Sequence, residues 1–280
     1  MSKRPLLDRI LARAEDDPNI MAVVMTGSRA SLRRTPDEWS DYDVELICDA
    51  PAPLADDDAW FHALGDVLTF LRLSAEDGAH QTRLVIFSDG EIDFSLCGRD
   101  RLDGQAGSLC DLYRRGYRVL YDPDGITAVL PEPDGEHERR PPPTADEFDH
   151  AVRTFWFEAH HQAGYLARGE LWALKFRDGT MKKYLRRMLE WRAVAADPEA
   201  DVRHIGHGMR RWVGEEVWRD LHTAWAGFDA ASSHRATVAT CTLFGRYARE
   251  VAAAFGFEYR QRAEDLILER VRGVESGAPS

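Results

Sequence analysis

The chain has 280 residues, of which 44% are hydrophobic and 30% charged, a composition for globular protein with room for two domains. Its formal net charge of −12 opposes a general affinity for phosphate backbones, so nucleic acid is not an expected partner. No apolar run approaches the roughly 18 residues of a membrane span, so no membrane partner is expected either.

Four scattered cysteines, Cys48, Cys97, Cys110 and Cys241, have neither zinc-site spacing nor the density of a disulfide scaffold, and are expected to be thiols. In "MSKRPLLDRILARAEDDPN", the charges of Asp8, Arg9, Arg13 and Glu15 break the apolar centre a signal peptide needs. A cytoplasmic protein is expected, as a monomer or homodimer.

In chain order, Leu6, Leu7, Ile10, Leu11 and Ala14 recur at helical spacing and predict a helix over 4–16. "DDPN" stops it, and "IMAVVMT" and "YDVELIC" read as buried strands. "DDDAWFHALGDVLTFLRL" has an acidic start and apolar residues at Trp60, Phe61, Leu64, Val67, Leu68 and Leu71, which predicts a second helix. "QTRLVIFS" and "GEIDFSLC", joined through Asp-Gly, predict a hairpin, and "YRVLYD" an edge strand. Residues 122–145 collect Asp-Pro, Asp-Gly, Pro-Glu-Pro and three consecutive prolines, and a domain boundary is placed here. Beyond it the period stays helical. Thr144 with Glu147 three positions on predicts a capping box at the first of at least five helices. The expected fold is α+β: a mixed-sheet domain over 1–140, then an all-helical domain over 141–280.

The chemistry concentrates in "MTGSRASLRRTPDEWSDYDVELICDA". Asp41 and Asp43 are one residue apart, so on a strand both carboxylates face one side with Cα atoms roughly 6 to 7 Å apart. Such carboxylates repel unless a cation lies between them, and hard oxygen ligands select Mg²⁺ or Mn²⁺, usually shared with substrate phosphates. The Gly27-Ser28 turn just before would let backbone N–H groups and a hydroxyl approach a phosphate, with Arg29 adding a charge-assisted bond. Asp93 lies between Ile92 and Phe94 in the later strand, on the face opposite the apolar one. If the two strands are neighbours, Asp93 reaches the same ions, as ligand or as base for an incoming hydroxyl.

Gly27-Ser28, twelve intervening residues, then Asp41-Tyr42-Asp43 resembles the signature of the nucleotidyltransferase superfamily, with its polymerase-β-like fold. "GSRA", "WSDYDVELI", "ARGELWALKFRDGTMKKYLRRMLEW" and "LFGRYAREVAAAFGFEY" are similar to the aminoglycoside 6-adenylyltransferases, which modify streptomycin, over nearly the whole chain. The resemblance implies transfer of AMP from ATP to a drug hydroxyl, with release of pyrophosphate. It implies Mg²⁺ or Mn²⁺ on Asp41, Asp43 and Asp93, with the triphosphate held by Gly27, Ser28 and Arg29. Lys175 resembles the helical-domain lysine that reaches the nucleotide phosphates in related enzymes. "HIGHGMRRWV" departs from the family's glycine-lysine run, so no phosphate role is carried over to His204 or His207.

A cationic acceptor calls for acidic and aromatic walls. Glu158 in "TFWFEAHH", Glu170 near Trp172, and Trp39 just before the aspartate pair are the candidates, against the plainer reading of solvated helix faces beside a Trp-rich core. Arg33 and Arg34 would flank an incoming triphosphate. The histidine pairs lack the cysteine or carboxylate partners of a zinc site. Two other readings remain open: the same chemistry on another drug, a metabolite or a protein hydroxyl, and a non-catalytic nucleotide-binding module.

Overall fold

The computed structural model describes residues 5–74, 81–202 and 204–274. The chain forms two compact units, Met1–Glu138 and Arg139–Ser280. The first contains a six-stranded mixed sheet and the second is helical, so the fold is α+β.

In the first unit, helix α1 (Leu6–Asp16) leads into β1 (Ile20–Thr26), a one-turn helix α2 (Gly27–Ala30) and β2 (Tyr42–Cys48). The short helices α3 (Ala52–Asp56) and α4 (Ala59–His62) precede β3 (Val67–Ser74), β4 (Gln81–Phe87) and β5 (Gly90–Gly98). Helices α5 (Asp100–Asp103) and α6 (Asp111–Arg114) and edge strand β6 (Arg118–Tyr121) follow. The sheet order is β3-β4-β5-β2-β1-β6; only β2 and β5 run parallel.

The single helix expected through "AWFHALGDVLTFLRL" is wrong. Trp60, Phe61 and Leu64 are buried on and just after α4, but Val67, Leu68 and Leu71 belong to β3. Their spacing of three and four matched a helical stripe by coincidence. Gly65 weakens a continuous helix, and pairing with β4 along the whole segment satisfies its backbone as a strand.

The sheet separates two cores. Leu6, Ile10, Val23, Leu46, Phe61 and Phe94 pack on one face with α1 and α4, while Val24, Ile47, Cys97, Leu102 and Tyr113 pack on the other. On the second face, Glu45 is buried, and receives two hydrogen bonds from Arg101 at 2.7 and 3.1 Å and one from the Tyr113 hydroxyl at 2.7 Å. Both carboxylate oxygens are thereby satisfied, which a buried carboxylate requires. Cys48, Cys97 and Cys241 are buried and Cys110 is half-buried, all as free thiols.

The region foreseen as a boundary is anchored at both ends. Asp122 accepts backbone bonds from Ile126 and Thr127, whereas Arg140 donates to Glu190, a fully buried carboxylate of the helical unit. The helical unit comprises α7 (Ala145–Ala167), α8 (Leu171–Ala196), short α9 (Met209–Val213) and α10 (Glu215–Leu221), α11 (Ala230–Phe255) and α12 (Gln261–Arg272). The Thr144/Glu147 capping box forms as expected. Phe155 and Phe244 stack at 3.6 Å in the core between α7 and α11. Among the described residues no helix is long and apolar enough to cross a membrane.

Candidate active site

The β1–β2 and β2–β5 registers align Thr26 with Asp43 and Asp43 with Asp93. Residues directly opposite in register share a sheet face, so the two aspartates stand side by side on adjacent parallel strands. Asp41 lies just before β2. One oxygen from each of Asp41, Asp43 and Asp93 falls within 4.8 Å of the others. The neighbourhood in which Asp93 was expected is therefore the one the sheet creates.

The Gly-Ser turn completes this corner. Gly27 has φ +65°, a left-handed conformation that glycine adopts without steric cost, and a Cβ there would collide with the Asp43 carboxylate. The Ser28 backbone N–H donates to Asp43, while the Ser28 hydroxyl is buried without a hydrogen-bond partner. Burial, the charge of Asp41 and, more weakly, that of Glu45 push Asp43 up to about 6, against the lowering effect of the Ser28 N–H. Burial, then Asp41, Asp43 and Glu91, push Asp93 up to about 7. Asp93 Oδ1 is also buried with no partner.

These observations fit a divalent cation. Three hard oxygen donors converge, their mutual repulsion is only partly offset by the Ser28 N–H, and a buried Asp93 oxygen has no protein donor.

Arg29 is committed elsewhere than to the open site. Its Nε donates to the carbonyls of Ser40 and Asp41 at 3.1 and 2.9 Å, and its Nη2 to Ser40 at 2.6 Å. Its guanidinium lies 4.1 Å from the Tyr42 ring centroid. Sequence spacing could not show this contact, which ties the Gly-Ser turn to the start of β2. Arg33 pairs with Glu136, and Trp39 is 86% exposed.

In the helical unit, Lys175 Nζ lies 3.3 Å from the Ala226 carbonyl. Glu158 is bound by Arg177 at 2.9 and 3.1 Å, and Glu170, at the start of α8, by Arg168 at 2.9 and 3.1 Å. Trp172 is 81% exposed. Sequence reasoning missed a cavity of about 550 Å³ lined by Lys182, Lys183, Arg186, Trp218 and Trp225 among aliphatic residues. Its charge is the wrong sign for a cationic acceptor. The basic cluster "KKYLRR" is the signal in the sequence that could have pointed to it.

A mixed sheet presenting a Gly-Ser turn, an Asp-x-Asp strand and a third aspartate on the adjacent parallel strand defines a nucleotidyltransferase, and the chain is an enzyme of that class. A model of the streptomycin adenylyltransferase family matches residues 1–273. The chain belongs to that family. It is 22% identical to the aminoglycoside 6-adenylyltransferase of Bacillus subtilis (strain 168) over 274 residues, 95% of each chain. It is 23% identical to that of Campylobacter jejuni over 269 residues, covering 92% of this chain and 91% of the relative. The crystal structure of an aminoglycoside 6-adenyltransferase from Bacillus subtilis aligns over 98% of both chains, with 19% identity and a TM-score of 0.44.

Proposed function

We propose that the enzyme transfers AMP from ATP to a hydroxyl of an aminoglycoside, the 6-hydroxyl of streptomycin being the first candidate, with release of pyrophosphate. The observation that carries this reading is the convergence of Asp41, Asp43 and Asp93 beside the Gly27-Ser28 turn, in a member of the streptomycin adenylyltransferase family.

Asp41, Asp43 and Asp93 would hold Mg²⁺ or Mn²⁺. The bound ion would supply charge neutralisation at the triphosphate and at the leaving pyrophosphate. Gly27 gives the phosphates close backbone approach, and the unpartnered Ser28 hydroxyl is the group available to donate to them. Arg29 acts by fixing the turn against Ser40 and Asp41 rather than by gripping phosphate.

In the transfer, the acceptor oxygen forms a bond to the α-phosphorus as the bond from that phosphorus to the bridging oxygen breaks, and pyrophosphate leaves with the electron pair. Asp93, on the strand beside Asp43, takes the hydroxyl proton.

Lys175 would serve the nucleotide phosphates after leaving the Ala226 carbonyl. Trp39 and Trp172 offer exposed rings for an acceptor to stack on. Glu158 and Glu170 are already matched by Arg177 and Arg168, so a cationic acceptor gains less from either.

The test is pyrophosphate release and mass-spectrometric detection of an AMP adduct across a panel of aminoglycosides, streptomycin first. Asp41→Asn and Asp43→Asn are expected to abolish both signals while leaving the circular dichroism spectrum unchanged. Wild-type turnover in either variant overturns the metal assignment, and an inert wild type overturns the acceptor class.

A further inference from the structure

The carboxylate row does not end at Asp93. The registers continue it across two more strands, Asp93 opposite Leu84 on β4 and Leu84 opposite Leu71 on β3. Thr26, Asp43, Asp93, Leu84 and Leu71 thus form one transverse row on one face of the sheet. Strands lie ~4.8 Å apart, so Leu84 is about 5 Å and Leu71 about 10 Å along the row from Asp93. Ile86, in register with Glu91, and Leu73 belong to the same face.

This part of the sheet breaks the usual rule. A sheet with one covered face normally carries polar residues on its open one. Here Val85, Phe87 and Phe94 fill the core on the covered face, yet on the other Leu71 is 60%, Leu73 47% and Ile86 39% exposed. An exposed apolar patch contiguous with a site is characteristic of a binding surface.

Chemistry assigns the side. The Gly27-Ser28 turn follows β1, on one flank of Asp43; Asp93, Leu84 and Leu71 extend from the other. In-line transfer requires the entering hydroxyl to approach phosphorus opposite the leaving pyrophosphate. If the turn holds the triphosphate, the acceptor must enter over β5, β4 and β3.

Resting on the function proposed above, the geometry points to Leu84, Leu71 and Ile86 as the floor of the acceptor subsite. A polycationic cyclitol or amino-sugar lies with a C–H ring face on these side chains, a cationic group toward the exposed Glu91 and the reacting hydroxyl toward the aspartate cluster. These residues determine specificity by rejecting acceptors that lack an apolar ring face or that carry negative charge near it.

Titration calorimetry of Mg-ATP and of streptomycin, each into wild type and variants, reads the two subsites separately. Leu71→Arg places a cation on the floor at an exposed position, and is expected to weaken streptomycin about tenfold or more while leaving ATP within about twofold. Leu71→Met, which keeps an apolar surface, restores binding. Ser74→Arg, a charge on the alternate face of the same strand, leaves both ligands unaffected. Streptomycin binding unchanged in Leu71→Arg, or ATP weakened in its place, overturns the placement of the acceptor. A wild type that binds Mg-ATP but neither binds nor modifies any aminoglycoside instead overturns the proposed function and, with it, the ligand class assigned to this floor.

Discussion

Asp93→Asn is expected to end AMP transfer and at the same time to stabilise the metal-free protein at neutral pH. An aspartate ordinarily titrates near 3.8, and in the folded protein burial and the charges of Asp41 and Asp43 raise Asp93 to about 7. At 1.36 kcal/mol per pH unit, this difference corresponds to at most ~4 kcal/mol; because the group is only half-buried, solvent screening leaves roughly 1–2 kcal/mol. The folded state holds this proton more tightly than the unfolded one, so stability is fully present below pH ~4 and is lost as the pH rises toward ~7. Asparagine carries no charge and removes that loss. The assay is denaturant unfolding in EDTA between pH 5 and pH 8, followed by a probe in the sheet unit, with the difference between wild type and variant plotted against pH. The variant should gain stability relative to wild type as pH rises, and Mg²⁺ should restore wild type more than the variant. A difference that is flat with pH, or a variant less stable than wild type at pH 8 in EDTA, would refute the electrostatic account of the cluster.

Gly27→Ala forces a side chain into the left-handed region and onto the Asp43 carboxylate; a loss of ~1–2 kcal/mol and weakened Mn²⁺ binding by electron paramagnetic resonance are expected. Arg29→Lys keeps the charge but cannot reproduce the paired bonds to Ser40 and Asp41, so Mn²⁺ binding should weaken, and hydrogen exchange at the start of β2 should quicken, nearly as much as in Arg29→Ala. Arg101→Ala leaves the buried Glu45 without its cation and should lower stability by ~3–5 kcal/mol, measured by chemical denaturation. Its double variant with Glu45→Gln should recover part of that loss.

Local pattern made much of the fold legible. β1, β2, β4 and β5 are short apolar or alternating runs between turn residues, and α1 and α7 carry their helical stripes and, for α7, a capping box. β3 was misread because "VLTFLRLS" has leucines at both periods, and only pairing with β4 chooses between them. The candidate metal site was legible because Asp43 and Asp93 sit on otherwise apolar strands, and Asp41 one residue before the first of them, where stability alone would not place carboxylates. The partners of Arg29, Glu158 and Glu170 were not legible. A long charged side chain reaches whichever opposite charge or carbonyl folding brings near, and composition says nothing of that choice.

The sequence by itself determined the class of chemistry, since a glycine-serine turn, two aspartates flanking one residue at the start of an apolar run and a third between apolar residues are statements about local geometry and side-chain type. Tertiary structure decided the rest: that β5 lies parallel to β2 so Asp93 meets Asp43, that Arg29 clamps backbone rather than reaching outward, and that Leu84 and Leu71 extend the carboxylate row. Register between strands distant in sequence is set by packing of the whole sheet, and a slip of one residue would turn every one of these side chains to the other face.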